Sequence, residues 1–199
     1  IYIVPSITTY YDKTSTTVSG SQIESDIRAT ATTFSTNNLE RFGNKLRYSR
    51  FTRSLDNITT GSILNNDVTI SLEKRFVPNI NKSERLLLNF NNKIRKGTLS
   101  STEFTYKSFP AYLDDDSLGN VNIYRYNDAK VKTNIITNAG TVDYNTGQVE
   151  INNFAPSAYA DTQLKVSITP DTFDVSPVRE QILLMDSASA IITIVSETT

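Results

Sequence analysis

SGSQIESDIRATATTFSTNNLERF, residues 19–42, is the stretch on which the fold reading turns. Ile23, Ile27, Ala31 and Phe34 recur at spacings of 4, 4 and 3, the period of one helix face and not of a strand. Ser21 and Glu24 offer a capping box at its start. The apolar stripe continues through Leu39, Phe42 and Leu46, with Asn37 and Asn38 as a weak point and Gly43 as a stop, so that one interrupted helix or two would satisfy the pattern. A second helical turn is predicted over FTRSLDNI (51–58), where Phe51, Leu55 and Ile58 repeat the spacing.

On either side the period changes to 2. IYIVPSITTYYD (1–12) is rich in β-branched and aromatic residues and predicts a strand, with Pro5 pushing it toward a sheet edge or a bulge. Val68, Ile70 and Leu72 alternate with Thr69, Ser71 and Glu73, the signature of a half-buried strand. RLLLNF (85–90) reads as its antiparallel partner across the loop VPNINKSE (77–84). The first half is therefore expected to be β-α-β-β, its helix stripe buried on one face of a sheet.

NNKIRKGTLSS (91–101) holds basic residues, a glycine and little apolar material, and a domain junction is placed there. Beyond it, VNIYRYN, KVKTNIIT, TVDYN, GQVEINNF, QLKVSITP, QILLM and IITIVS are short strand-like runs separated by turn formers. The fold class expected is α+β: an α+β domain over residues 1–97 and an all-β, sandwich-like domain over 98–199, with helices only in the first. DYNTGQVEI (143–151) is the clearest hairpin, its turn made by Asn145, Thr146 and a positive-φ Gly147.

Composition narrows the function. The 199 residues include 20 Lys plus Arg, 21 Asp plus Glu, and no His, Cys or Trp. Imidazole and thiolate are thus unavailable as nucleophiles, bases or metal ligands. The balanced charge gives no field for nucleic acid, and no window nears the roughly 20 apolar residues of a membrane span. Neither partner is expected. Ser (21), Thr (26) and Asn (19) suit a strand-rich protein with polar outward faces. The start IYIVPS has no initiator Met, and Ile1 is read as a cut inside a longer polypeptide.

Few constellations could carry chemistry. Asp114, Asp115 and Asp116 before SLGN resemble part of a calcium loop, but Arg125 stands where the bidentate Glu would be needed, so a solvated acidic turn is expected and no metal. Adjacent aspartates in one turn cannot flank a sugar as an acid and base pair. Arg47, Arg50 and Arg53, spaced by 3 among Tyr48 and Phe51, are read as a solvated or interface face of a helix. Phosphate-loop, dinucleotide and nucleophile-elbow motifs are absent from the sequence. No catalytic residue and no cofactor is assigned.

Two stretches in this order, FSTNNLERFGNKLRYSRFTRSLDNITTGSILNNDVTISLEKRF (34–76) and GTVDYNTGQVEINNF (140–154) followed by SITPDTFDVSPVREQILLMD (167–186), resemble the C-terminal portion of the baseplate wedge protein of contractile-tailed bacteriophages, a family related to the J-type baseplate proteins. The resemblance covers roughly residues 1 to 186. Its motif positions are Gly140, Asp143, Tyr144, Gly147, Pro177 and Arg179, and it departs at Glu180, where the pattern calls for Asn. The resemblance implies a structural virion protein without catalysis, assembled in the host cytoplasm. It implies a homodimer whose copies join other wedge proteins and link wedges into a ring around the tail tube end. Two other classes compete. A Thr-rich β-domain adhesin would share the composition but needs no amphipathic helix. A carbohydrate-binding module would need an aromatic platform built from Tyr112, Tyr124 or Tyr126.

Overall fold

Tyr2–Asp12 forms strand β1, and its burial alternates residue by residue from Tyr2 to Tyr11, as a pleated strand requires. The computed structural model describes residues 1–58, 62–178 and 181–198. After β1 come helices α1 (Gly20–Asn38) and α2 (Tyr48–Asp56), then β2 (Ile63–Phe76), β3 (Glu84–Asn89), β4 (Ser100–Ser101), β5 (Phe104–Tyr106) and β6 (Phe109–Asp115). The chain continues through β7 (Asn120–Tyr126), β8 (Lys132–Asp143), β9 (Gln148–Phe154), β10 (Ala158–Tyr159), β11 (Leu164–Ile168), β12 (Leu184–Met185) and β13 (Ile191–Glu197). Two helices against thirteen strands among the described residues correct the expected α+β class to a mostly β architecture. Of the expected stripe, Ile23 to Phe34 lies on α1, which ends at Asn38, while Phe42 is exposed and lies outside both helices; the helical part is outweighed by strands that the chain's two ends and middle all supply.

Two compact units emerge, Ile1–Ser71 with Thr172–Thr199, and Leu72–Asp171. The contacts thus group residues differently from a single junction near residue 97. β2 runs from the first unit into the second, and the chain returns to the first at Thr172.

In the first unit β1 pairs in parallel with β12 at Tyr2 and Ile3, and with β13 from Ser6↔Ile191 to Asp12↔Glu197. The partner changes between Ile3 and Ser6, around Pro5, whose nitrogen has no hydrogen to donate. Helix α1 buries Ile23, Ile27, Ala31 and Phe34. At roughly 1.5–3 kcal/mol per large apolar side chain, this stripe is the main reason the segment stays helical. Phe34 stacks on Phe51 of α2 with ring centroids 5.1 Å apart. Arg28 of α1 donates to the carbonyls of Ser187 (2.7 Å) and Ala190 (3.2 Å), and the Ser35 hydroxyl accepts from the N–H of Met185 (3.0 Å). The N-cap is Ser19, which accepts from the Gln22 N–H at 3.2 Å, two residues before the expected Ser21. Ser19 and Gln22 fit the capping-box spacing equally well, yet the Gln22 amide turns instead to Asp26.

In the second unit the strands follow the hydrogen-bonded order β2-β11-β4-β6-β7-β8-β9-β3, with β5 pairing β6 and β10. This continuous antiparallel order replaces the expected sandwich-like arrangement. The expected β2–β3 hairpin is corrected too. β2 pairs with β11 from Leu72↔Ile168 to Phe76↔Leu164, and β3 pairs with β9 from Leu86↔Ile151 to Asn89↔Gln148. Alternation tells which face of a strand is buried but not which strand lies beside it. Phe90, Phe104, Leu113, Val121, Ile151 and Val166 form the core of this unit.

Candidate functional site

The β8–β9 hairpin holds four of the six motif positions together. Asp143 ends β8, and its Oδ1 accepts from the N–H groups of Asn145 (2.9 Å) and Thr146 (3.2 Å), while its carbonyl accepts from the Gly147 N–H (2.9 Å). Bonds from Thr146 and then Asn145 hold this carboxyl below the usual carboxylate range. Gly147 has φ +77°, and a Cβ there would lie 2.2 Å from the Asn92 carbonyl oxygen. Gly140 is needed for a different reason: it lies in regular strand, but an added Cβ would come within 1.8 Å of the Glu150 carbonyl oxygen.

Tyr144 joins this turn to the segment 90–99. Its carbonyl accepts from the Ile94 N–H, and Gly147's accepts from the Phe90 N–H, both at 2.8 Å. The Tyr144 hydroxyl donates to Asp115 Oδ2 at 2.6 Å. Burial, reinforced by that carboxylate, pushes the phenol well above its ordinary value. Pro177 lies in the first unit outside any strand or helix, and Arg179 lies outside the described residues.

Asp115 corrects the expectation of a solvated acidic turn over Asp114 to Asp116. It is buried and also accepts from the N–H groups of Gly97 (2.7 Å) and Leu99 (2.8 Å). A signal for it existed, because Ala111, Leu113 and Asp115 fall on alternate positions of β6 and are all buried. Its neighbours face elsewhere. Asp114 bonds Asn122 and Lys132. Asp116 accepts from the Leu118 and Asn120 N–H groups and from the Asn120 amide, which holds it below its ordinary value. The three carboxylates thus serve three separate local networks. Among the described residues no group of three or more Asp or Glu is placed to hold a metal ion.

Tyr112, Tyr124 and Tyr126 cluster on β6 and β7 with centroids 5.6–6.0 Å apart. Their planes are inclined by 30°, 62° and 88°, and Lys132 Nζ sits 4.2 Å from the Tyr124 ring centroid. A sugar ring stacks on a flat, open aromatic face, which this mutually tilted cluster does not provide.

In the first unit, Arg47 precedes α2, and Arg50 and Arg53 lie along it. Phe51 and Leu55 are buried beneath, leaving the three arginines exposed. Arg47 Nη1 pairs with Asp174 Oδ2 at 3.1 Å, and Asp174 Oδ1 accepts from the Tyr48 N–H at 2.8 Å. Those bonds, the Tyr48 N–H first, hold the Asp174 carboxyl below its usual range.

No helix among the described residues is long and apolar enough to cross a membrane. A comparison with curated proteins gives no match. The motif positions from Gly140 onward lie beyond the one stretch that a family model covers. That stretch, residues 1–75, matches the family described as baseplate structural protein gp6, C-terminal domain III.

Proposed function

We propose that the chain is a structural subunit of a phage baseplate wedge, acting without catalysis, that dimerises and links neighbouring wedges into a ring around the tail tube end of a contractile tail. The observation that carries this reading is the match of residues 1–75 to a baseplate structural domain. The second unit supports it chemically. One of its buried carboxylates, Asp115, is spent on backbone and tyrosine hydrogen bonds that fix loops, the behaviour of a scaffold. In this reading Gly140, Asp143, Tyr144 and Gly147 shape the hairpin, and they bind no ligand.

The contact between copies is assigned to the outer edge of β3. That strand ends the pairing order of its unit, and Leu87 on it is 43% exposed. An unpaired edge with an apolar side chain is a template for a second strand, and a two-fold axis through it would bring β3 against its own copy. A stable dimer should bury at least about 1,000 Å² in total. Sedimentation equilibrium of the 199-residue chain tests the reading. A mass of twice 22.2 kDa, reduced to one by Leu87→Lys, is expected. A monomer at every concentration up to 100 µM would overturn the dimer.

A further inference from the structure

Beside α2 lies a groove of about 550 Å³ lined by Lys45, Arg47, Arg50, Arg53 and Asp174, with the end of α1 at Asn38 closing one side. Four cations face one carboxylate there. Asp174 is taken up by Arg47 and the Tyr48 N–H, while among the described residues the Arg50 guanidinium reaches only the Asn38 amide oxygen at 3.5 Å. Lys45 and Arg53 have no ion pair with any described residue. We propose that this groove binds an extended acidic segment of another polypeptide. The proposal rests on the reading of the chain as an assembly subunit, and it names the chemistry of one partner.

Three features favour a carboxylate-bearing peptide. Asp174 already shows how a carboxylate is received at this place: one oxygen on a guanidinium, the other on a backbone N–H at the start of a helix. The cations are also spread out. From Arg47 to Arg53 the helix rises about 9 Å, too far for one phosphate-sized anion to meet all of them. Alternate side chains of an extended segment are about 6.8 Å apart, within the roughly 9 Å over which the arginines are spread, so two acidic residues at i and i+2 can reach two of these cations. The near-neutral charge of the whole chain further makes this excess local, which favours a short acidic segment over a long polyanion.

The test uses the intact 199-residue chain and a fluorescein-labelled twelve-residue peptide of alternating glutamate and serine, read by anisotropy. The expected result is binding that weakens as salt rises and is absent for the matching glutamine–serine peptide. Arg50→Gln with Arg53→Gln should weaken it about ten-fold, the sum of two exposed ion pairs near the upper end of their usual worth. The thermal midpoint shows whether that variant is folded. Should it not be, Lys45→Gln in the preceding loop replaces it, with about a three-fold loss expected. The proposal is overturned by no binding at millimolar peptide, or by equal binding to the glutamine peptide. It is equally overturned by unchanged affinity in a folded variant, by displacement with equimolar inorganic phosphate, or by tighter binding of a thymidine dodecamer. None of these outcomes bears on self-association, so the groove and the subunit reading fail separately.

Discussion

Replacing Gly147 by alanine separates two costs that the structure assigns to this position. The first is conformational. Gly147 has φ +77°, and an L-residue in the left-handed region pays about 1–2 kcal/mol. The second is steric, since the new Cβ would stand 2.2 Å from the Asn92 carbonyl oxygen, 2.9 Å from the Asn92 nitrogen and 3.0 Å from the Asn91 nitrogen. All three are backbone atoms, so relief requires shifting the segment that carries the Phe90 N–H bond to the Gly147 carbonyl. Forced displacement of this kind costs about 1–3 kcal/mol, giving about 2–5 kcal/mol in all. Gly43 supplies the control, because its φ is +79° and a Cβ there meets nothing within 4 Å. Gly43→Ala should therefore cost only about 1–2 kcal/mol. Urea unfolding followed by circular dichroism measures both. Equal losses for the two variants would refute the close approach of Asn92 to Gly147.

Phe34→Ala should destabilise by about 3–5 kcal/mol in the same assay, as expected where a buried ring is removed from a partner ring 5.1 Å away. Asp115→Asn keeps the shape but leaves donors at Gly97, Leu99 and Tyr144 competing for one oxygen, so a loss of about 2–4 kcal/mol is expected. Tyr112 and Tyr124 are both pushed up to about 12, the former by its hydrogen bond to Glu103 and the latter by burial and then Tyr126. The folded protein thus holds these protons more tightly than the unfolded chain does. Their contribution to stability is complete below the ordinary tyrosine value of about 10 and is lost as pH rises toward 12. Absorbance titration at 295 nm should show these late ionisations, alongside the raised Tyr144 and Tyr48, in the folded protein only, with Glu103→Gln bringing Tyr112 down and leaving the others in place.

Much of the local structure was legible in the sequence because it is written in local periods. Ile23, Ile27, Ala31 and Phe34 announce α1, Val68, Ile70 and Leu72 announce β2, and Asn145 to Gly147 announce the hairpin turn. What was not legible is pairing over long sequence separations. Nothing near β1 says that Ser6 will lie beside Ile191, and a loop between β2 and β3 looks the same whether those strands meet or stand at opposite ends of an order of eight. The fold class was misjudged for that reason, since α+β or mostly β depends on how strands assemble. The candidate site was half legible. Spacing alone made Asp114, Asp115 and Asp116 look like one acidic group, whereas the alternation of β6 sends Asp115 inward with Leu113 and leaves Asp114 and Asp116 to other partners.

Quantitative mass spectrometry of baseplates isolated from virions of the encoding phage tests the central claim most directly. The account predicts peptides from this chain in purified baseplates, at a fixed ratio to the other wedge proteins. Peptides abundant in the infected-cell lysate but missing from the purified baseplates would contradict it.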